Sequence, residues 1–177
     1  RTPKLDRHPL DLNDLLKEVL DLYHTHAPVT FELKLDPALP LLAADAGRFR
    51  QLLHNLIKNA LDALGDKSGG RISICTRCIE DAGFPLLELR VADNGPGFPV
   101  DIIGQVFEPY VTTKPRGSGL GLAIVKKIVE EHGDDLDGLA VRTQEAHALA
   151  ALDLAHARKR DAQHVGEVLD ALARVGV

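Results

Sequence analysis

Three groups of residues in this chain have types and spacings that chemistry can use. The first is a glycine cluster, Gly117, Ser118, Gly119, Leu120, Gly121 and Leu122, which runs straight into a helical pattern. Glycine admits positive φ and lets a ligand approach main-chain N–H groups. The first turn of a helix has unpaired N–H donors and partial positive charge, so this junction predicts an anion site. It is not a P-loop, because no Lys-Ser or Lys-Thr follows. It is not a dinucleotide fingerprint either, because no strand immediately precedes it. The second group is Asn55, Asn59 and Asp62, spaced four and three apart and so neighbours along one helix. A solvated face is the ordinary reading of such a stripe. Two asparagines beside an apolar face, with glycine loops downstream, favour a ligand site. The third is Asp93, which opens Asp-Asn-Gly-Pro-Gly and falls in phase with the apolar Leu87, Leu89 and Val91. An inward carboxylate is costly without partners. It either accepts from the following turn or accepts a ligand amine at a pocket floor.

Between the glycine clusters, residues 95–118 have little periodicity. A loop of that length in a compact domain is usually a functional lid or disordered. Phe107 and Tyr110 are its expected anchors, and Thr112, Thr113, Lys114 and Arg116 give it hydroxyls and positive charge.

The elements that must hold these groups follow from pattern. Residues 1–9 read as a linker. Asp11 opens a helix with Leu12, Leu15, Leu16, Val19 and Tyr23 on one stripe. Phe31, Leu33 and Leu35 alternate as a strand, and 41–44 is a short second strand. Asp45 caps a helix over 46–64, whose apolar stripe from Phe49 to Leu64 packs on a sheet. A turn over 65–70 leads to a strand over 71–80, a turn at 81–85 and a strand over 86–93. On the latter, Glu88 and Arg90 face away from the buried set. A last strong helix spans 120–131, with Ile124, Val125, Ile128 and Val129 inward and His132-Gly133 as its stop.

The chain's 177 residues, 45% of them hydrophobic, suit one domain with an appendage. A net charge of −5 without any basic run argues against a nucleic-acid surface. No apolar run reaches membrane-span length. Arg1 is not a natural start, so an excised piece is expected, with any membrane anchor of the parent protein outside it and a cytoplasmic location for this part. Cys75 and Cys78 form a C-x-x-C, but in a strand residues three apart point to opposite faces, and no second ligand pair matches. A reducing compartment fits this.

Upstream of the glycine loops stands His-Asn-Leu-Ile-Lys-Asn-Ala-Leu-Asp-Ala, residues 54–63. Followed by 93–97, by Val-Phe-Glu-Pro-Tyr at 106–110 and by 117–122, it resembles the four ordered boxes of the sensor histidine kinase ATP-binding domain, a member of the GHKL superfamily. The nitrogen-regulation type is the closest in flavour, sharing "NALDA" and "FEPYVTTK". The resemblance covers residues 10–133. It implies an α/β (α+β) two-layer sandwich of the Bergerat type, with a mixed, mostly antiparallel sheet on helices and ATP under the lid. It implies Asn59 as the Mg²⁺ ligand, Asn55 orienting phosphate and metal, and Asp93 accepting the adenine amine. Gly95 and Gly97 would let the backbone pass the base, and Ile102 or Ile103 with Phe107 would give apolar lid contacts. Gly117, Gly119 and Gly121 would shape the phosphate loop, with N–H groups of Ser118 and Leu120. Lys114 or Arg116 would reach the γ-phosphate, unless they are simply solvated lid charges.

By the same resemblance, the phosphate acceptor would be a histidine on a separate helical domain, and a response regulator the downstream partner. The superfamily's ATPases carry a glutamate one turn before the metal asparagine, where it activates water. This chain has Asn55 there, which favours transfer over hydrolysis. The alternatives are such an ATPase, or a non-catalytic module whose tail has disabled the site. The family's closing strands are not evident after Gly133. Residues 139–177 read as an Ala-rich, mostly helical tail, with 138–143 as one candidate strand. This is either a genuine variant or the result of a frame change near Gly133. Such a tail is expected to cover the sheet or pair with a second copy.

Overall fold

The computed structural model describes residues 5–23, 29–81, 84–114, 117–133 and 139–144. In chain order these form β1 (His8–Leu10), α1 (Leu12–Asp21), β2 (Val29–Leu35), β3 (Leu42–Ala44), α2 (Ala46–Leu64), β4 (Gly70–Asp81), β5 (Phe84–Asp93), a 3₁₀ turn (Ile103–Gln105), α3 (Gly121–Gly133) and β6 (Leu139–Gln144). One four-stranded sheet has the order β2-β4-β5-β6, and β1 pairs with β3 in a small second sheet. None of the described helices is long and apolar enough to cross a membrane.

The helices form where capping and periodicity coincide. Asp11 accepts from Asp14 N–H at 3.0 Å to start α1, and Asp45 accepts from Arg48 N–H at 3.1 Å to start α2. Such caps contribute about 1 kcal/mol each. The Asp45 carboxyl sits below the usual carboxylate range, chiefly because of that backbone hydrogen bond. Phe49, Leu52, Leu53, Leu56, Ile57, Ala60 and Leu64 of α2 are buried against Ile72 and Ile74 of β4, Leu87, Leu89 and Val91 of β5, and Val125, Ile128 and Val129 of α3. This is the packing on a sheet that the apolar stripe of α2 implied, within the two-layer arrangement that the resemblance implied.

Several expectations change. The presumed linker 1–9 includes part of a strand, since His8 pairs with Ala44 and Leu10 with Leu42. The main sheet is mixed, but its pairings are not mostly antiparallel: β2–β4 and β5–β6 run parallel, and β4–β5 antiparallel. The reason is connectivity, since each parallel pair is joined by a crossover that contains a helix, α2 or α3. The turn expected at 81–85 is shorter, because Asp81 already pairs with Phe84. The candidate strand at 138–143 is present as Leu139–Gln144 beside β5, so the sheet runs on past 139, where the helical tail was expected to begin. The helical reading of 145–177 lies outside the described residues. Glu88 does face away from the helices, yet it is fully buried, bonded to Arg77 and 3.7 Å from Arg90.

Two buried polar clusters tie the layers together. Asn13 donates to Asp36 O at 2.8 Å and accepts from Thr76 Oγ1 at 2.7 Å, joining α1, the end of β2 and β4. His132, with no exposed surface, donates from Nδ1 to Ile128 O at 2.7 Å and accepts at Nε2 from Asp45 N–H at 3.1 Å. Its ring meets Phe49 edge-on at 5.0 Å. The residue read as a helix stop thus binds the end of α3 to the start of α2.

Burial, foremost, holds the His132 pKa below its ordinary 6.5; Arg7 pushes it the same way, while the Ile128 bond, Asp45 and Glu131 oppose. The native state therefore takes up this proton less readily than the unfolded chain. Its contribution is complete above pH ~6.5 and is lost as pH falls toward the lower native value. Urea melts at pH 7.5 and 5.5 are expected to show a loss of stability in the wild type, and a smaller one in His132→Gln.

Candidate nucleotide site

The described residues place three sequence-distant segments on successive turns of α2. At its middle, the start of α3 comes up against the asparagine stripe. A Cβ on Gly121 would lie 3.4 Å from both terminal atoms of Asn59 and 3.5 Å from Asn55 Oδ1. Asn55 donates its Nδ2 to Gln51 O at 2.9 Å, which turns its oxygen toward that junction. One turn further on, Asp62 Oδ2 meets Lys114 Nζ of the lid at 3.2 Å. At the last turn, Gly95 passes so close that a Cβ there would lie 3.2 Å from Ala63 O and 2.6 Å from Asp93 Oδ1. One helix face is the floor, and the glycines permit the approach.

Asp93 ends β5 with 9% of its surface exposed, in phase with Leu87, Leu89 and Val91 as the alternation predicts. Its Oδ1 accepts from Gly95 N–H at 2.7 Å, which leaves its second oxygen for a ligand. Burial, the largest influence, pushes its pKa up; the Gly95 bond, Lys114 and Lys67 pull the other way. The first reading of this residue, acceptance from the following turn, holds, and it takes one oxygen only. Asn94 braces the same corner: its Oδ1 accepts from Arg71 N–H at 2.8 Å and its Nδ2 donates to Gly69 O at 3.1 Å.

The two ends of the lid cross at Gly119. Tyr110 N–H donates to Gly119 O at 2.9 Å. Gly119 has φ +65° and Tyr110 φ +69°, the latter unusual for a residue with a side chain. Lys126 of α3 bonds Glu108 at 3.2 Å and holds the lid's middle. The expected lid contacts Ile103 and Phe107 are half-buried, and Phe107 packs against the core. Tyr110 is not an anchor: it is 77% exposed, and the buried anchor is Val106. Its neighbours Glu108 and Pro109 gave no alternation to reveal it.

Other expected positions vary. Gly97 has positive φ, +76°, a conformation that favours glycine. Gly117 N–H closes a turn onto Lys114 O at 3.0 Å. Leu120 N–H is directed at Ser118 Oγ, 3.4 Å away, so it is not freely presented as anticipated. Leu122 is buried in the core, so only its backbone can serve a ligand. Thr113 is exposed, and Arg116 lies outside the described residues. His54 turns toward α1, where its Nδ1 is 2.8 Å from Tyr23 Oη. Cys75 and Cys78 are free thiols, and among the described residues no cluster of three or more His, Cys, Asp or Glu could hold a metal. A cavity of about 430 Å³ lies on the outer sheet face, lined by Glu32, Lys34, Arg77, Glu88 and Arg90 among others. It reaches Asp93 at one end only and includes neither asparagine nor glycine loop, so it is not this site.

A helix floor bearing two amides, an abutting helix N-terminus, a buried acid and a cross-tied lid define a nucleotide-binding α/β sandwich. Comparison with known proteins agrees. The family model "Histidine kinase-, DNA gyrase B-, and HSP90-like ATPase" matches residues 44–153, and the chain belongs to that family. It is 38% identical over 144 residues to the sensory histidine kinase/phosphatase NtrB of Rhizobium meliloti (strain 1021), covering 73% of this chain and 37% of that protein. The chain thus spans little more than a third of that relative. Among solved structures it is similar to the nucleotide-free catalytic domain of histidine kinase ThkA, with TM-score 0.63, 30% identity, and 73% and 83% of the two chains covered. ThkA in complex with response regulator TrrA gives 0.57 at 31% identity, covering 72% and 35%. Full-length ShkA with AMPPNP gives 0.61 at 31%, covering 75% and 28%. The chain is an ATP-binding histidine kinase catalytic domain, similar in sequence to nitrogen-regulation kinases.

Proposed function

We propose that this domain presents the γ-phosphate of Mg-ATP to a histidine on a separate helical domain of the same protein, for relay to a response regulator. The observation that carries the reading is the meeting of Asn55 and Asn59 with the start of α3 at Gly121. Neutral amide oxygens suit a hard cation whose remaining ligands are water and phosphate oxygens. Asn59 is the residue that would hold such an ion. The ion would neutralise charge on the phosphates. The amides at the start of α3 favour the phosphate anion, Asp93 accepts the exocyclic amine of adenine, and Asn55 orients. Thr113 and Lys114 line the lid over the phosphates.

With an amide at Asn55, no base stands where water would need activation, so an imidazole nucleophile is served better than water. The partners of this reading are the phosphoacceptor domain and the regulator, and the location it implies is the cytoplasm.

The test mixes the chain with Mg-ATP labelled at the γ-phosphate and a separately prepared phosphoacceptor domain of the NtrB type. Acid-labile label on that domain is expected, with almost none in Asn59→Asp. Rapid ATP turnover by the chain alone, without transfer, would instead make it an ATPase.

A further inference from the structure

We infer that Asp62 competes with the terminal phosphate for Lys114, and so sets how much more tightly the site holds a nucleoside triphosphate than a diphosphate. This rests on the reading of the site above. Lys114 Nζ lies 3.2 Å from Asp62 Oδ2, across 52 residues of sequence. Asp62 stands three residues after Asn59, on the stripe that meets the glycine loops.

The lysine's backbone has little freedom. Its N–H donates to Thr112 Oγ1 at 3.1 Å, and its carbonyl accepts from Gly117 N–H at 3.0 Å. A Cβ on Gly117 would lie 2.5 Å from Thr112 Oγ1 and 3.0 Å from Lys114 Cβ, so the turn is closed tightly. Only the flexible stem is left to choose a partner. In this structure it chooses the carboxylate.

The pair is 36% and 43% exposed, so it is weak and easily exchanged. A phosphate carries more charge and more acceptor oxygens than a carboxylate, and attracts the ammonium more strongly. Binding a triphosphate then includes breaking the Asp62–Lys114 pair. Binding a diphosphate leaves the pair in place. The carboxylate therefore weakens triphosphate binding selectively, and reclaims the lysine once the terminal phosphate has gone.

Calorimetric titration with Mg-AMPPNP and Mg-ADP tests this. The ratio of the two affinities is the readout, because removing a negative charge near phosphates strengthens both. Asp62→Asn is expected to raise the triphosphate-to-diphosphate ratio by up to about fivefold. In a Lys114→Gln background, the same substitution is expected to leave the ratio unchanged. An unaltered ratio in Asp62→Asn, or an equal change in both backgrounds, overturns the inference while leaving the site intact. Wild-type protein that binds neither nucleotide would overturn the site and this inference together.

Discussion

Replacing Asp93 with asparagine is expected to weaken Mg-ATP binding while raising the stability of the empty protein. Asparagine has the same shape and can still accept from Gly95 N–H, whose bond to Asp93 is 2.7 Å long. It offers the adenine amine no carboxylate. A hydrogen bond to a charged partner is worth about 1.5–3 kcal/mol, so affinity is expected to fall roughly 10- to 150-fold. Stability should move oppositely. Burial raises the native pKa of Asp93 above its usual 3.8. Between these values the native state holds the proton more firmly, so stability falls as pH rises through the native pKa and stays lower above it. At pH 7 the buried charge works against the empty fold, and asparagine removes it. Calorimetry with thermal melts of the empty protein checks both halves. Unchanged affinity, or a less stable empty protein, would contradict this account of Asp93.

Gly119→Ala is expected to abolish high-affinity binding and leave the sheet and core folded. The new Cβ would lie 2.5 Å from Tyr110 C, 2.7 Å from its Cα and 2.8 Å from Val111 N. These are backbone atoms with no rotamer to yield. The residue also sits at φ +65°, which strains any L side chain. Losing the Tyr110–Gly119 hydrogen bond adds to the cost. Strain of about 1–3 kcal/mol plus a lost hydrogen bond of about 1 kcal/mol predicts roughly a hundredfold weaker binding or more. Gly104→Ala is the control, because nothing lies within 4 Å of its added Cβ. Normal circular dichroism with lost ATP binding for Gly119→Ala, and normal binding for Gly104→Ala, is the expected pattern. Equal behaviour of the two would mean that the lid crossing does not matter.

Local pattern revealed much of this molecule. The helix Ala46–Leu64 matches its expected span because a capping aspartate and a long apolar stripe agree. Asp93 was legible because strand alternation carries through to it. What stayed hidden depends on long-range partners. The strand His8–Leu10 is three residues long, too short for alternation, and exists because Leu42–Ala44 lies beside it. The parallel pairing of Leu139–Gln144 with β5 is set by the crossover, not by its own residues. His132 looked like a helix stop because its partner, Asp45 N–H, is 87 residues away in sequence. The Asp62–Lys114 pair was invisible for the same reason, although both residues had been singled out. That Val106 rather than Tyr110 is buried stayed hidden because a loop without periodicity does not show which apolar residue turns inward.

The most direct test is a competition between adenosine and guanosine triphosphate analogues for the magnesium-loaded wild-type domain. In the proposed site the base would meet the buried carboxylate of Asp93, an acceptor that suits the amine of adenine and opposes the carbonyl guanine carries there. A preference for the adenosine analogue of at least roughly tenfold is expected from one charged hydrogen bond. Equal affinity for the two would contradict the placement of the base on Asp93, and with it the whole site.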